Sequence, residues 1–272
     1  MIGVLIEYDF MRNAFYSALL SSVICGIIGT IIVEKKLVSM SGGIAHTSFG
    51  GIGLGFLLGI EPLIGGVGFA VSAALGIASI KRRTSTEADT LIGMFWAVGM
   101  ALGVIFIALT PGYPPDMTTY LFGDILTVSS RFVKILALTA FMTVLLSISL
   151  FRYLKGYLFD EEYLKILGIN TTFMEYLLYI SISVGIVFLI KVVGIVLSIA
   201  MLTIPIATAK IFSRDLGRIM IYSTLIGSIT SIGGMWFSYM YNIPSGASII
   251  MVSILVYALT YPVSRIISKK RV

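Results

Sequence analysis

The sequence predicts an all-α integral membrane protein, a polytopic bundle of about nine transmembrane helices (eight to nine) built as one domain over residues 1–272. Three observations lead there. Hydrophobic residues make up 58% of the chain and charged residues only 12%, with a mean hydropathy of +1.03. A soluble domain needs roughly 25% charged residues to cover its surface, so much of this surface must meet lipid. Apolar runs near the ~20 residues that cross a bilayer recur along the whole chain. The basic residues, finally, gather at alternate ends of those runs, as they do in a chain with fixed topology.

Taken in order, the runs fall at about 13–33, 38–59, 63–80, 91–110, 131–151, 174–191, 194–212, 217–239 and 245–267. The first holds the only cysteine, Cys25, which reads as a small buried hydrophobe and excludes an internal disulfide or a Cys-based metal site. The second is rich in glycine, which weakens a helix. Glu61 and Pro62 punctuate the turn before the third. Glu87 and Asp89 sit just ahead of the fourth, where an acid favours a helix N-terminus. The connection 110–130 carries three of the seven prolines, and its stretch 119–128 suits a short helix that does not span. The connection 151–172 mixes charge with aromatics, as an amphipathic surface helix does. In the seventh run Pro205 breaks the helix near one end.

Charge fixes the expected orientation. Nine crossings place 15 of the 19 Lys and Arg on one side, leaving Arg12, Arg131, Lys134 and Lys191 on the other. Loops rich in Lys and Arg stay in the cytoplasm, so the N-terminus is expected outside and the C-terminus inside a plasma membrane. Eight crossings would put both chain ends on one side and break this segregation. The net charge of +6 is thereby a topology signal, and no nucleic acid partner is expected.

The missing motifs narrow the function. No G-x-x-x-x-G-K-[ST] loop is present to cradle ATP phosphates, no H-E-x-x-H to bind zinc, and no G-x-S-x-G nucleophile elbow. The chain therefore reads as no enzyme and as binding no resident cofactor. What remains is the stretch 40–59, MSGGIAHTSFGGIGLGFLLG, which contains the only histidine, His46. Gly42, His46 and Gly50 recur every four residues and are expected on one helix face; Gly51, Gly55 and Gly59 form a second ladder. Small residues so spaced, with Gly43 beside them, let membrane helices approach closely. An imidazole in the bilayer faces protein or a water-filled path. Two readings stay open for it: a neutral ring bonded to a backbone carbonyl, or a ligand for Zn²⁺, Fe²⁺ or Mn²⁺. Asp124, in YLFGD, is the near-membrane acid of interest, whereas Asp116 reads as solvated. The stretch 198–218, SIAMLTIPIATAKIFSRDLGR, passes from Pro205 through small residues to Lys210, Arg214, Asp215 and Arg218. A short charged helix there suits the docking of a partner at the cytoplasmic surface.

These residues carry a family resemblance. SGGIAHTSFGGIGLGFLLG (41–59), TEADTLIGM (86–94), YLFGD (120–124), FDEEYLKILGI (159–169), VGIVLSIAMLTIPIATAKIFSRDL (193–216) and FSYMYNIPSGASII (237–250) follow one another over nearly the whole chain. Together they resemble the permease subunits of the ABC-type zinc/manganese/iron importers. The resemblance implies a homodimeric permease around a central path for a divalent metal ion. It further implies two cytoplasmic ATPase subunits and an extracytoplasmic metal-binding protein as partners. His46, with Asp124, would lie on the metal path, and Thr203, Pro205, Ala207, Thr208, Lys210, Arg214 and Asp215 would form the contact that the ATPase pushes. Many family members carry an aspartate four residues before the histidine; here that position is Gly42. Rival readings are a permease of the same broad architecture for a metal chelate, siderophore or cobalamin-like cofactor, and a channel or structural protein with no ATPase partner.

Overall fold

The computed structural model describes residues 8–112, 120 and 123–269, with side chains as far as Pro262. Its helices are α1 (Asp9–Glu34), α2 (Val38–Leu58), α3 (Pro62–Arg83), α4 (Ala88–Ala108), α5 (Ser130–Ser149), α6 (Phe151–Phe159), α7 (Glu161–Ile166), α8 (Thr171–Met201), α9 (Ile204–Phe212), α10 (Leu216–Tyr241) and α11 (Ser245–Lys269), with a 3-10 turn at Ile125–Thr127. No strand occurs among the described residues.

Local chemistry sets the helix ends. Ser129, Asn170 and Asp215 each accept a hydrogen bond from a first-turn backbone N–H of α5, α8 and α10, satisfying donors that a helix start leaves free. Pro62 opens α3, where a missing N–H costs nothing. Gly59 closes α2 in the left-handed conformation, φ 66°. Glu87 makes no side-chain cap to α4; Asp89, in its first turn, instead accepts a hydrogen bond from Ser39 Oγ.

Seven described helices are long and apolar enough to cross a membrane: α1, α3, α4, α5, α8, α10 and α11. The expected runs 38–59 and 194–212 depart from that pattern, for different reasons. The first is a full helix, α2, whose six glycines, serines and histidine lower its hydropathy. It is instead buried by protein nearly throughout. The second is not one helix. It begins inside α8, beyond a break at Gly194 with φ 76° and ψ 170°, a backbone state essentially reserved for glycine. A straight helix would carry Ile199 about 36 Å from Glu175 along its axis. Yet Glu175 pairs with Lys81 and Arg82 at the end of α3, and Ile199 lies against Gly42 near the start of α2, at that same end of the bundle. The chain thus turns back at Gly194. Its returning leg is two short helices, residues 195–201 and α9, joined at Leu202–Thr203. The break expected at Pro205 falls two residues earlier, and Pro205 sits comfortably in the first turn of α9.

The connection 151–172 is two helices, not one: α6 and α7, with Gly156 packed under Leu164. Of 119–128 the described part holds the helical residue Tyr120 and the 3-10 turn, and Asp116 lies outside the described residues.

The basic clusters of α1, α3, α6–α7 and α9 share one end of the bundle, joined by ion pairs. Glu34 meets Lys210 at 2.8 Å, Lys35 meets Glu161 at 3.8 Å, and Glu175 meets Arg82 at 2.5 Å. At the opposite end Asn13 bonds the Val128 carbonyl and the Ser130 hydroxyl, and Ser245 bonds Asp124.

Candidate functional site

The site is built on α2, which is wedged between α3 and α4 by its glycines. A Cβ placed on Gly51 would stand 2.0 Å from the Gly65 carbonyl oxygen, and one on Gly55 2.6 Å from Pro62 Cα, so both hold α3. Gly50 faces the Gly99 carbonyl of α4 and the Phe69 ring of α3, and Gly43 packs under Ile92. The ladder is a backbone-to-backbone seam, the packing that lipid-embedded helices use in place of a hydrophobic drive.

The expected single face of Gly42, His46 and Gly50 is not kept. Gly42 looks at Ile199 on the returning leg, where a Cβ would sit in ordinary contact 3.5 Å from Ile199 Cδ1, whereas Gly50 looks at α3 and α4. Each four-residue step overshoots a full turn by about 40°, so Gly50 stands about 80° round from Gly42.

His46 is half-buried on this helix. Its ring lies flat against the indole of Trp96 on α4, centroids 4.3 Å apart and planes 4° from parallel. Nδ1 is buried and has no hydrogen-bond partner. Among the described residues Nδ1 meets no carbonyl acceptor of the kind the neutral-ring reading expects. Trp96 itself is 42% exposed on the flank of the chain. Sequence reasoning missed Trp96, because one indole in an apolar run looks like any lipid-facing aromatic.

Asp124 is not joined to His46 by any contact. Its Oδ1 accepts from the Leu126 N–H at 3.0 Å and from Ser245 Oγ at 3.1 Å, tying the 3-10 turn to the start of α11. With Thr127, Ser129, Phe132 and Lys191 it lines a surface cleft at the end of the bundle opposite the basic clusters. Gly123 beside it, φ 61°, presses on the backbone of Val193 and Gly194, so the turn of α8 and the Asp124 loop are in direct contact.

The segment 203–215 separates into inward and outward residues. Thr203 is half-buried and bonds the Ile199 carbonyl; Pro205 and Thr208 are buried within this chain. Ala207, Lys210, Arg214 and Asp215 are exposed. Lys210 is held by Glu34, and Asp215 caps α10 while its other oxygen lies 3.9 Å from Lys155 Nζ.

Two arrangements at the same end were not legible in the sequence. Glu175 is 4% exposed yet charged-paired, with Arg82 Nε at 2.5 Å and Lys81 Nζ at 3.6 Å. Lys35 Nζ stands 3.7 Å above the Tyr157 ring. Burial pulls the Lys35 ammonium below the ordinary lysine range against the attraction of Glu161. Burial alone would raise Glu161, but its bond to Lys165 and the charges of Lys165 and Lys35 hold it below the usual carboxylate range.

Among the described residues no group of three or more His, Cys, Asp or Glu is placed to hold a metal ion. The arrangement around His46 can offer a passing cation one imidazole nitrogen, and no closed cage.

Residues 7–263 match the profile of the ABC 3 transport family. An uncharacterised membrane protein of Synechocystis sp. is 36% identical over 255 residues, covering 94% of this chain and 91% of that one. The manganese import system permease protein ScaB of Streptococcus gordonii is 31% identical, covering 97% and 96%. In solved structures, PsaBC from Streptococcus pneumoniae in complex with Fab contains a chain that superposes with a TM-score of 0.87 at 29% identity, covering 99% of this chain and 98% of that one. With nearly every residue inside the family profile and the same helical architecture in a solved relative, this chain belongs to the ABC 3 transport family, as a multi-pass membrane permease.

Proposed function

We propose that this chain is the permease of an ATP-driven importer of a divalent metal ion, with manganese the first metal to test. The observation that carries the reading is its end-to-end similarity to permeases named for manganese transport, ScaB among them. Two copies of the chain form the path between them. A metal-binding protein delivers the ion at the Asp124 end, and cytoplasmic ATPase subunits dock at the basic end, on the exposed face of α9. The N-terminus lies outside and the C-terminus in the cytoplasm, in keeping with the Lys and Arg distribution. His46 from each copy meets the ion in transit through one imidazole nitrogen, a weak bond that conduction tolerates because tight sites trap ions. ATP-driven movement enters through Ala207, Lys210, Arg214 and Asp215 on the surface, while Thr203, Pro205 and Thr208 pass it inward.

The test is metal uptake into vesicles holding the full complex. His46→Ala lowers uptake of manganese at least tenfold while ATP hydrolysis persists. Unchanged uptake across manganese, zinc and iron(II) overturns the role of His46. Bulky substitution at Ala207, with charge reversal at Arg214, lowers ATPase co-purification; intact assembly in both overturns the docking face.

A further inference from the structure

We propose that Trp96 is the positioning residue of the His46 cation site, and that its indole favours the cation-bound imidazole over the free one. The inference rests on the reading of His46 as a path ligand. Metal-binding histidines usually have their other ring nitrogen held by a hydrogen bond, which fixes tautomer and orientation. His46 has no such bond: Nδ1 is buried and unpartnered, and the specific contact its ring makes is the Trp96 stack. At 4.3 Å and 4° the stack sets the ring plane.

The electronics act in the same direction. An imidazole that donates its lone pair to a divalent ion becomes electron-poor. The indole face is the most electron-rich surface a protein side chain offers, and it attracts cationic partners. Stacking therefore strengthens as the ion arrives and weakens as it leaves. Location supports this too. Trp96 is 42% exposed on the protomer, so the pair opens on a flank and is not sealed in the core. A polar ring on such a flank is expected to face a path or a protein neighbour, not lipid.

The chain has two tryptophans, so Trp236→Phe leaves Trp96 as the only indole. In that background, with the purified full chain, manganese(II) binding is read twice: by Trp96 fluorescence, and by the electron paramagnetic resonance of the free ion, which needs no tryptophan. Expected results are quenching of Trp96 by manganese(II), lost in His46→Ala, and binding roughly three- to tenfold weaker in Trp96→Leu but largely restored in Trp96→Phe. Equal binding by His46→Ala and the parent removes the reading of His46 itself. If His46→Ala loses binding but Trp96→Leu keeps it, His46 stands and the role of Trp96 is overturned. Should Trp96→Leu fail to fold, absence of His46-dependent quenching in the Trp236→Phe protein overturns the proposal on its own.

Discussion

Replacing Gly51 by alanine adds one methyl group at the tightest point of the α2–α3 seam. The new Cβ would lie 2.0 Å from the Gly65 carbonyl oxygen and 2.4 Å from its carbon, both backbone atoms that no rotamer change can move. Reaching the roughly 3.4 Å of ordinary contact requires the helices to part by about 1.4 Å. That opens the neighbouring contacts of Gly55 with Pro62 and Gly66 with Ile52 as well. Overpacking of this kind costs about 1–3 kcal/mol, against a gain of about 1 kcal/mol from replacing a helical glycine. Backbone–backbone contact puts Gly51→Ala at or above the upper end, a net loss of about 2 kcal/mol. Gly68, exposed on α3 with nothing within 4 Å of its Cβ, is the matched control. There only the propensity gain remains, so Gly68→Ala stabilises by about 0.5–1 kcal/mol. Thermal unfolding of both variants in detergent, followed by helical circular dichroism, gives midpoints that move in opposite directions. A Gly51→Ala protein as stable as the parent would refute the seam as drawn.

Arg82→Met leaves the carboxylate of Glu175, 4% exposed, with only Lys81 at 3.6 Å. The loss is about 1–3 kcal/mol, below the full cost of orphaning a buried charge because Lys81 remains, and Lys81→Met costs less; the two midpoints decide. Ser245→Ala removes one of two bonds to Asp124 Oδ1, costs about 1 kcal/mol, and speeds amide hydrogen exchange at Leu126. Gly194→Ala forces a side chain into φ 76°, ψ 170°, at about 3 kcal/mol. It lowers the unfolding midpoint further than Gly68→Ala raises it, and in the complex it separates ATP hydrolysis from uptake.

The sequence made the membrane class and most helices legible, since apolar length and charge segregation are properties of single runs. The run 194–212 was legible as a leg of the bundle and as a broken one, although the break expected at Pro205 falls at Leu202–Thr203. What makes the turn before it was not legible, because it depends on the backbone state of Gly194, and glycine in a membrane helix more often signals close packing. The pairing within the Gly51 and Gly55 ladder was readable from spacing. Its partner was not, because spacing cannot say whether α3 or α4 lies opposite. For the same reason the common face of Gly42, His46 and Gly50 was over-read: four-residue steps drift, and over two steps the drift selects a new neighbour. Glu175 and Trp96 were missed because each matters only through a residue distant in sequence, Arg82 in one case and His46 in the other.

If His46 meets the ion as proposed, it cannot by itself make transport directional. Such a bond would be the same from either side, so the asymmetry must come from which side the path opens to. The returning leg of α8 supplies a physical connection for that. It starts at Gly194, where Gly123 carries the Asp124 loop against it, passes Gly42 one turn below His46 through Ile199, and ends in α9, tied to α1 by Lys210 and Glu34. One continuous stretch of chain therefore touches the Asp124 loop, the helix that bears the imidazole, and the surface proposed for ATPase docking. Two short helices joined at Leu202–Thr203 can rotate against each other more cheaply than a single span can bend, because the bonds of Thr203 to Ile199 and Ala200 cross the joint in place of a continuous helical ladder. Under the proposed coupling, the break would let a push at α9 reach Ile199. A variant that stiffens Leu202–Thr203 while leaving α9 docked should hydrolyse ATP and move no metal.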